Sequence, residues 1–410
     1  MSKYAIFIVR KFRIYYFQNR EDRLLMYENI LRHPGPTPIP KKVQLAMNQD
    51  IFSHRSNEFV ELYRETMELV KPIFGTKQDI LLLPSGGTAA LEAAAVNTVS
   101  AGEEVVVITV GAFGDYFVSI CEKYGFHVHK LEKEWGQACT AEELQAFLQP
   151  LANIKAVFVT YNETSTGILN PIAELAQVVR NETDALFIVD GVSCIGGAPA
   201  EMDQWGVDIL VTGSQKAMML PPGLSLVSVS DRAWKVIEEN KAPSYYLNLQ
   251  SYRSWAEKGM TPNTPAITLI YGLHEVCKLI EEEGGFDKTV ARHELMKNMV
   301  RSAMKALNIG LLTDDEYASP TITAILAPEG IALGDFLSHL KQKYHLDFAG
   351  GLGHLQGKMF RFGHMGYCFP SDILQAISLM EAALQDFSYD FEPGAGVLAA
   401  HKVFLAAQSK

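Results

Sequence analysis

Lys216 lies in Thr212-Gly213-Ser214-Gln215-Lys216, a turn of small and polar residues after the apolar run Val207, Ile209, Leu210, Val211. An amine held just beyond a buried strand is poorly solvated, so its pKa falls and it becomes a nucleophile near neutral pH. Upstream, Ala185-Leu186-Phe187-Ile188-Val189 ends in Asp190. A carboxylate closing a buried strand needs a charged partner or several donors; a protonated pyridine nitrogen is one such partner, a local arginine another. Together, a lysine able to carry an aldehyde as an imine and a carboxylate able to keep a ring nitrogen protonated are the two groups that pyridoxal 5′-phosphate (PLP) asks of a protein. Either alone says little.

Other motifs gain meaning beside these two. Ser85-Gly86-Gly87-Thr88 opens a helical stretch after an apolar run. Free N–H groups and the positive end of the helix dipole make such a start an anion seat, with Thr88 as either cap or phosphate donor; in isolation the motif is an ordinary strand-to-helix turn. Phe113, in Gly111-Ala112-Phe113-Gly114, follows another strand and is either core or a platform for a ring. Thr164, in Asn162-Glu163-Thr164-Ser165-Thr166-Gly167, offers a hydroxyl to a ring substituent or to its own backbone. Arg361 sits inside the apolar run Met359 to Phe362, and its fork geometry suits a substrate carboxylate. Once released from an imine, Lys216 can also act as the base that moves a proton at a substrate α-carbon.

These residues need a scaffold that brings strand ends together. From Ile80 onward short β-rich runs alternate with amphipathic stretches, predicting an α/β/α layer with a mostly parallel sheet. The expected strands are Ile80 to Leu83, Val105 to Val110, Ala156 to Thr160, Ala185 to Val189, Ile209 to Val211 and Leu224 to Val229. Helices are expected over Thr88 to Val99, Asp115 to Tyr124, Ala141 to Leu148 and Ile172 to Val179, with Pro171 in a first turn. Glu281-Glu282-Glu283-Gly284-Gly285 marks a boundary. Beyond it, helices Phe286 to Leu307 and Pro370 to Phe387 flank strands Thr321 to Leu326 and Met359 to Phe362, a smaller α+β domain. The expected division is an arm at 1–30, a large PLP-binding domain at 31–284, a small domain at 285–392 and an Ala-rich tail at 393–410.

Composition narrows the function classes. Hydrophobic residues make up 48% and charged residues 20% of the 410 residues, as in a globular enzyme. A net charge of −11, with basic clustering confined to the first 25 residues, argues against a nucleic-acid partner. No apolar run reaches a membrane span. Cys121, Cys139, Cys194, Cys277 and Cys368 lack CxxC spacing, so neither a disulfide framework nor a metal site is expected, and a cytoplasmic setting is the simplest expectation. The basic N-terminal stretch lacks the apolar length and cleavage site of a leader. It reads as a surface arm, or as an extension ahead of a start at Met26.

In order and spacing the motifs resemble fold-type I, class-V aminotransferases, nearest to alanine/serine:glyoxylate (or pyruvate) aminotransferases. The similarity runs from about His33 to Phe387. It is carried by Pro34-Gly35-Pro36, Ser85-Gly86-Gly87-Thr88, Ala90-Leu91-Glu92-Ala93, Glu163-Thr164-Ser165-Thr166-Gly167, Val189-Asp190, Gly213-Ser214-Gln215-Lys216-Ala217, Pro221-Pro222-Gly223 and Gly350-Gly351-Leu352-Gly353. The resemblance implies Lys216 as the cofactor lysine, Asp190 as the pyridine partner, and Gly86, Gly87, Thr88 and Gln215 as the phosphate seat. Phe113 would stack where relatives often carry tryptophan, Thr164 and Val192 would touch the ring, and Arg361, with Gly35 nearby, would bind the substrate. Thr264 would reach the phosphate of a neighbouring subunit, implying a homodimer with composite sites; a tyrosine of relatives is here Thr261. The implied activity is amino transfer from alanine or serine to glyoxylate or pyruvate. The alternatives are an (S)-ureidoglycine:glyoxylate aminotransferase, a cysteine-desulfurase-type lyase using Cys368, and a non-catalytic binding protein.

Overall fold

A computed structural model of the chain describes residues 29–408; the N-terminal arm up to residue 28, with Met26, lies outside the described residues. The strands are β1 (Ile30–Leu31), β2 (Ile80–Leu83), β3 (Glu104–Thr109), β4 (His127–Glu132), β5 (Ala156–Thr160), β6 (Asn162–Glu163), β7 (Ile168–Leu169), β8 (Leu186–Asp190), β9 (Ile209–Gly213), β10 (Ser225–Val229), β11 (Ile322–Leu326), β12 (Leu346–Asp347), β13 (Ala349–Gly350) and β14 (Met359–Gly363). Seven of them form one sheet in the order β2-β10-β9-β8-β5-β3-β4. Only β10 runs antiparallel to its neighbours.

Continuous apolar runs such as Leu81-Leu82-Leu83 and Val157-Phe158-Val159 form strands buried on both faces, because alternate side chains enter cores on opposite sides of a parallel sheet. Leu82, Val157 and Val159 pack in one core, with helix Asn57–Phe74. Leu81, Leu83 and Phe158 pack in the other, with helix Gly87–Thr98. The arrangement is the expected α/β/α layer.

Local departures from expectation have local causes. β4, His-Val-His-Lys-Leu-Glu, is an edge strand with no fully buried residue, so it lacks the apolar signal of the inner strands. Helix Ala112–Lys123 begins three residues ahead of the expected Asp115, because acceptors from residues 163–165 take its first amides. Pro171 stands at the N-cap of helix Ile172–Glu182 rather than within the first turn.

Gly284 and Gly285, at φ +106° and +97°, turn the chain from helix Ile267–Glu282 into helix Phe286–Ala306 with backbone angles that favour glycine. Beyond them β11, β14 and β13 form an antiparallel sheet whose Phe360 and Phe362 share a core with Phe336 and Ile377. Helix Ala395–Gln408 packs on helices Phe286–Ala306 and Pro370–Asp386, burying Ala400. β1 pairs in parallel with β12. No helix of the described residues is long and apolar enough to cross a membrane.

Candidate active site

In parallel sheets, ligand sites form beyond the carboxyl ends of the strands. Here the Gly86 turn follows β2, Phe113 follows β3, Thr164 follows β5, Asp190 ends β8 and Lys216 follows β9. All five therefore meet at one edge.

Asp190 is buried, and its Oδ1 accepts from the Val192 N–H at 2.8 Å. No arginine of the described residues pairs with it, so the local-arginine reading does not hold. Burial pushes its carboxyl up to about 7, opposed by the Val192 amide, with the nearby negative Glu163 adding to the rise. On the adjacent strand, burial and then the Arg361 charge push the Lys216 amine down to about 8, with Asp190 acting against them. The Lys216 amine donates to the Pro34 carbonyl.

Gly35 leaves room for that amine: a Cβ there would lie 2.4 Å from Lys216 Cδ. Thr37 fastens the same segment, its hydroxyl donating to the Lys216 carbonyl at 2.9 Å and its N–H to the Gln215 carbonyl at 3.2 Å. Neither Pro34 nor Thr37 was legible as a lysine partner in the sequence, since both act across about 180 residues.

The helix Gly87–Thr98 has Gly86 as N-cap, with no side chain covering its first turn; Thr88 is inside the helix and is not the cap. At position 87 only glycine fits, since a Cβ there would meet Val192 Cγ2 at 2.6 Å. A Cβ on Gly213 would sit 3.1 Å from Gln215 Oε1 and 3.3 Å from the Gly87 nitrogen, so these polar groups converge on one place. Gln215 Oε1 is buried without a partner. Turned about its last bond, that amide offers two N–H donors instead.

Arg361, 8% exposed, donates from Nε to the Gly350 carbonyl at 2.9 Å and from Nη1 to the Thr164 carbonyl at 3.3 Å. Those bonds aim the guanidinium, and burial lowers its pKa. Phe113 is half-buried, edge-on to Tyr116 with centroids 5.4 Å apart. Thr164 is buried and Val192 half-buried.

Thr264 is the outlier: it is exposed ahead of helix Ile267–Glu282, with no hydrogen bond to the Lys216 group among the described residues. Thr261 is buried, its hydroxyl donating to the Asn263 carbonyl and its own carbonyl receiving Arg55. Cys368 is buried and takes a hydrogen bond from Arg32, and burial raises its thiol to about 11. Such a thiol is a packed, unreactive group and not the mobile nucleophile that a desulfurase requires.

The cluster fits PLP on its own chemistry. It holds a carboxylate with no salt-bridge partner among the described residues, an amine of lowered pKa, and an uncapped helix start beside a buried amide oxygen without a partner.

Comparison with known proteins agrees. The family model described as Aminotransferase class-V matches residues 32–363. The soluble hydrogenase small subunit of a Synechococcus species is 39% identical, over 92% of this chain and 99% of that protein. Serine–glyoxylate aminotransferase of Methylorubrum extorquens is 35% identical, over 91% and 95% respectively. The solved structure of ureidoglycine-glyoxylate aminotransferase from Bacillus subtilis gives a TM-score of 0.86 at 28% identity, covering 92% of this chain and 98% of that one. With both halves of the sheet edge built from the motifs that carry the resemblance, the chain belongs to the class-V aminotransferase family.

Proposed function

We propose that this aminotransferase moves an amino group from a small amino acid, alanine or serine, to a small 2-oxo acid, glyoxylate or pyruvate, with PLP held at Lys216. The observation that carries this reading is the pairing, on adjacent strand ends, of a lysine lowered to about 8 with a buried carboxylate that forms no salt bridge among the described residues. When bound, the cofactor supplies an electron-withdrawing ring that weakens bonds at the α-carbon of an attached amine.

The chain's own groups do the rest. Asp190 would hold a proton on the ring nitrogen, and the charged pair would compensate its burial. The amides of Gly87 and Thr88 with Gln215 would receive the phosphate. Phe113 and Val192 would flank the ring, and Thr164 would offer its hydroxyl to a ring substituent. Lys216, partly neutral near pH 8, would be the base that accepts the substrate α-proton and delivers it to the carbon through which the cofactor is attached. Arg361 binds the substrate carboxylate through its fork, with Gly35 leaving space beside the lysine. Thr264, exposed in one copy, reaches the phosphate site of a second, giving a homodimer with composite sites. The name of the M. extorquens relative supports serine and glyoxylate as substrates, and that of the B. subtilis structure supports (S)-ureidoglycine as the second reading of the donor.

The test is an absorption spectrum of protein loaded with PLP, before and after L-alanine, L-serine, L-aspartate or (S)-ureidoglycine is added singly. One donor is expected to convert the visible cofactor band, with release of its 2-oxo acid. Lys216→Ala is expected to lack the lysine-dependent band. An identical band in that variant would sink the assignment of Lys216, and conversion by ureidoglycine alone would select the second reading.

A further inference from the structure

The helices that follow β2 and β3 start at the edge that carries Lys216, and both N-caps are glycines, Gly86 and Gly111, without side-chain caps. Only the second start is closed. The Ala112 N–H donates to Ser165 Oγ at 2.9 Å, and the Phe113 and Gly114 N–H groups each donate to Glu163 Oε2 at 3.1 Å. On its other oxygen Glu163 accepts from the Ser165 N–H at 3.0 Å and the Ser165 hydroxyl at 2.6 Å.

Glu163 is 0% exposed. Removing a carboxylate from water is costly, and here its partners are amides, a hydroxyl and the positive end of a helix, with no bonded cation. The backbone is shaped around it, since a Cβ on Gly111 would lie 2.4 Å from both Glu163 Cγ and Ser165 Oγ. What this clamp grips is the residue whose ring faces the proposed cofactor. The next residue, Thr164, holds Arg361 through its carbonyl. Neighbouring positions of one short turn thus hold two parts of the site.

We infer that Glu163 is a positioning residue: its buried carboxylate fixes the first turn of helix Ala112–Lys123 and thereby holds the Phe113 ring against the cofactor. The role rests on the PLP reading above. An amide in place of the carboxylate keeps one acceptor oxygen and turns N–H groups toward donors on the other side, so the isosteric Glu163→Gln weakens the clamp without losing volume.

Three readouts test this in Glu163→Gln and in the milder Ser165→Ala, which removes the Ala112 acceptor and the hydroxyl donor to Glu163 but leaves the carboxylate on the Phe113 and Gly114 amides. In cofactor-free protein, hydrogen exchange at the Phe113 and Gly114 amides is expected to quicken roughly tenfold or more in Glu163→Gln. In loaded protein, the PLP dissociation constant is expected to rise roughly tenfold, with altered visible circular dichroism of the cofactor. Added to Phe113→Ala, Glu163→Gln is expected to weaken PLP binding little further, because both act through one ring. Ser165→Ala is expected to shift each readout the same way by less, which keeps the test alive if Glu163→Gln does not fold. Unchanged exchange overturns the clamp; strictly additive effects with Phe113→Ala overturn its action through the ring. Wild-type protein that takes up no PLP overturns the reading beneath it, and shows itself before any variant is made.

Discussion

The Lys216 side chain donates its hydrogen bond to the Pro34 carbonyl, so the amine proposed to hold the cofactor is met by a segment from the far N-terminal side of the described chain. A backbone carbonyl adds no charge, and the amine stays at about 8 instead of 10.5. The rate of PLP capture is therefore expected to climb with pH and level off above about 8, followed by the growth of the visible band. A climb continuing toward pH 10.5 would show an ordinary solvated lysine.

Asp190 gives a stability test with a definite sign. Its carboxyl is about 7 in the fold against the ordinary 3.8 of an aspartate, so between those limits the cofactor-free native state holds more protons than the unfolded chain. Stability contributed by this group is full below pH 3.8 and is lost as pH rises through 7. Asp190→Asn is expected to remove that loss, leaving the cofactor-free protein with a higher Tm at pH 8 than wild type. Transamination is expected to fall on the order of a hundredfold, since the ring nitrogen loses its counter-charge.

Arg361→Lys keeps a charge and discards the planar fork that bonds to Gly350 and Thr164. The KM for carboxylate substrates is expected to rise roughly 10- to 100-fold with a smaller change in kcat. Steady-state kinetics on the preferred donor measures this, and a change confined to kcat would argue against carboxylate binding.

Gly35→Ala combines a backbone at φ +103° with a Cβ placed 2.4 Å from Lys216 Cδ, whereas Gly102→Ala, at φ +84°, meets open space. Both are expected to destabilise the fold by about 1–3 kcal/mol through backbone strain. Only Gly35→Ala is expected also to impair PLP capture. Comparing melting curves and cofactor content of the two separates the clash from the strain.

His293 and His364 are buried, and burial pushes both rings down to about 3. The His293 ring bonds the Thr289 carbonyl and accepts the Gly366 N–H, a role open only to the neutral form. Because the unfolded chain protonates near 6.5, stability is expected to drop as pH falls from 6.5 toward 3. Urea titrations across that range should show a shallower drop for His293→Gln.

The site motifs were legible because each chemical residue directly follows an apolar strand, as Asp190 follows Val189 and Lys216 follows the β9 run. The inner strands carried that signal through burial on both faces; the edge strand His127–Glu132 did not. Glu163 stood within a legible motif, but its task is set by amides about 50 residues upstream, which local spacing does not reveal. Thr37 and Pro34 were hidden for the same reason at longer range. The start of helix Ala112–Lys123 is likewise a tertiary decision, made by Glu163 and Ser165 rather than by a local cap.

The placement of Ile30–Leu31 beside Leu346–Asp347 bears on how the protein is made. The Arg32 carbonyl receives the Gly363 N–H, and the Arg32 guanidinium meets Cys368, 336 residues away. A nascent chain on the ribosome can therefore assemble the strand ends bearing Asp190 and Lys216, with Thr37 seated on the Lys216 turn, before the partners of Ile30 to Arg32 have been made. The contacts that fix the start of the segment over the lysine are completed only once residues 346 to 368 have been synthesised, so the two ends of the chain are tied together last.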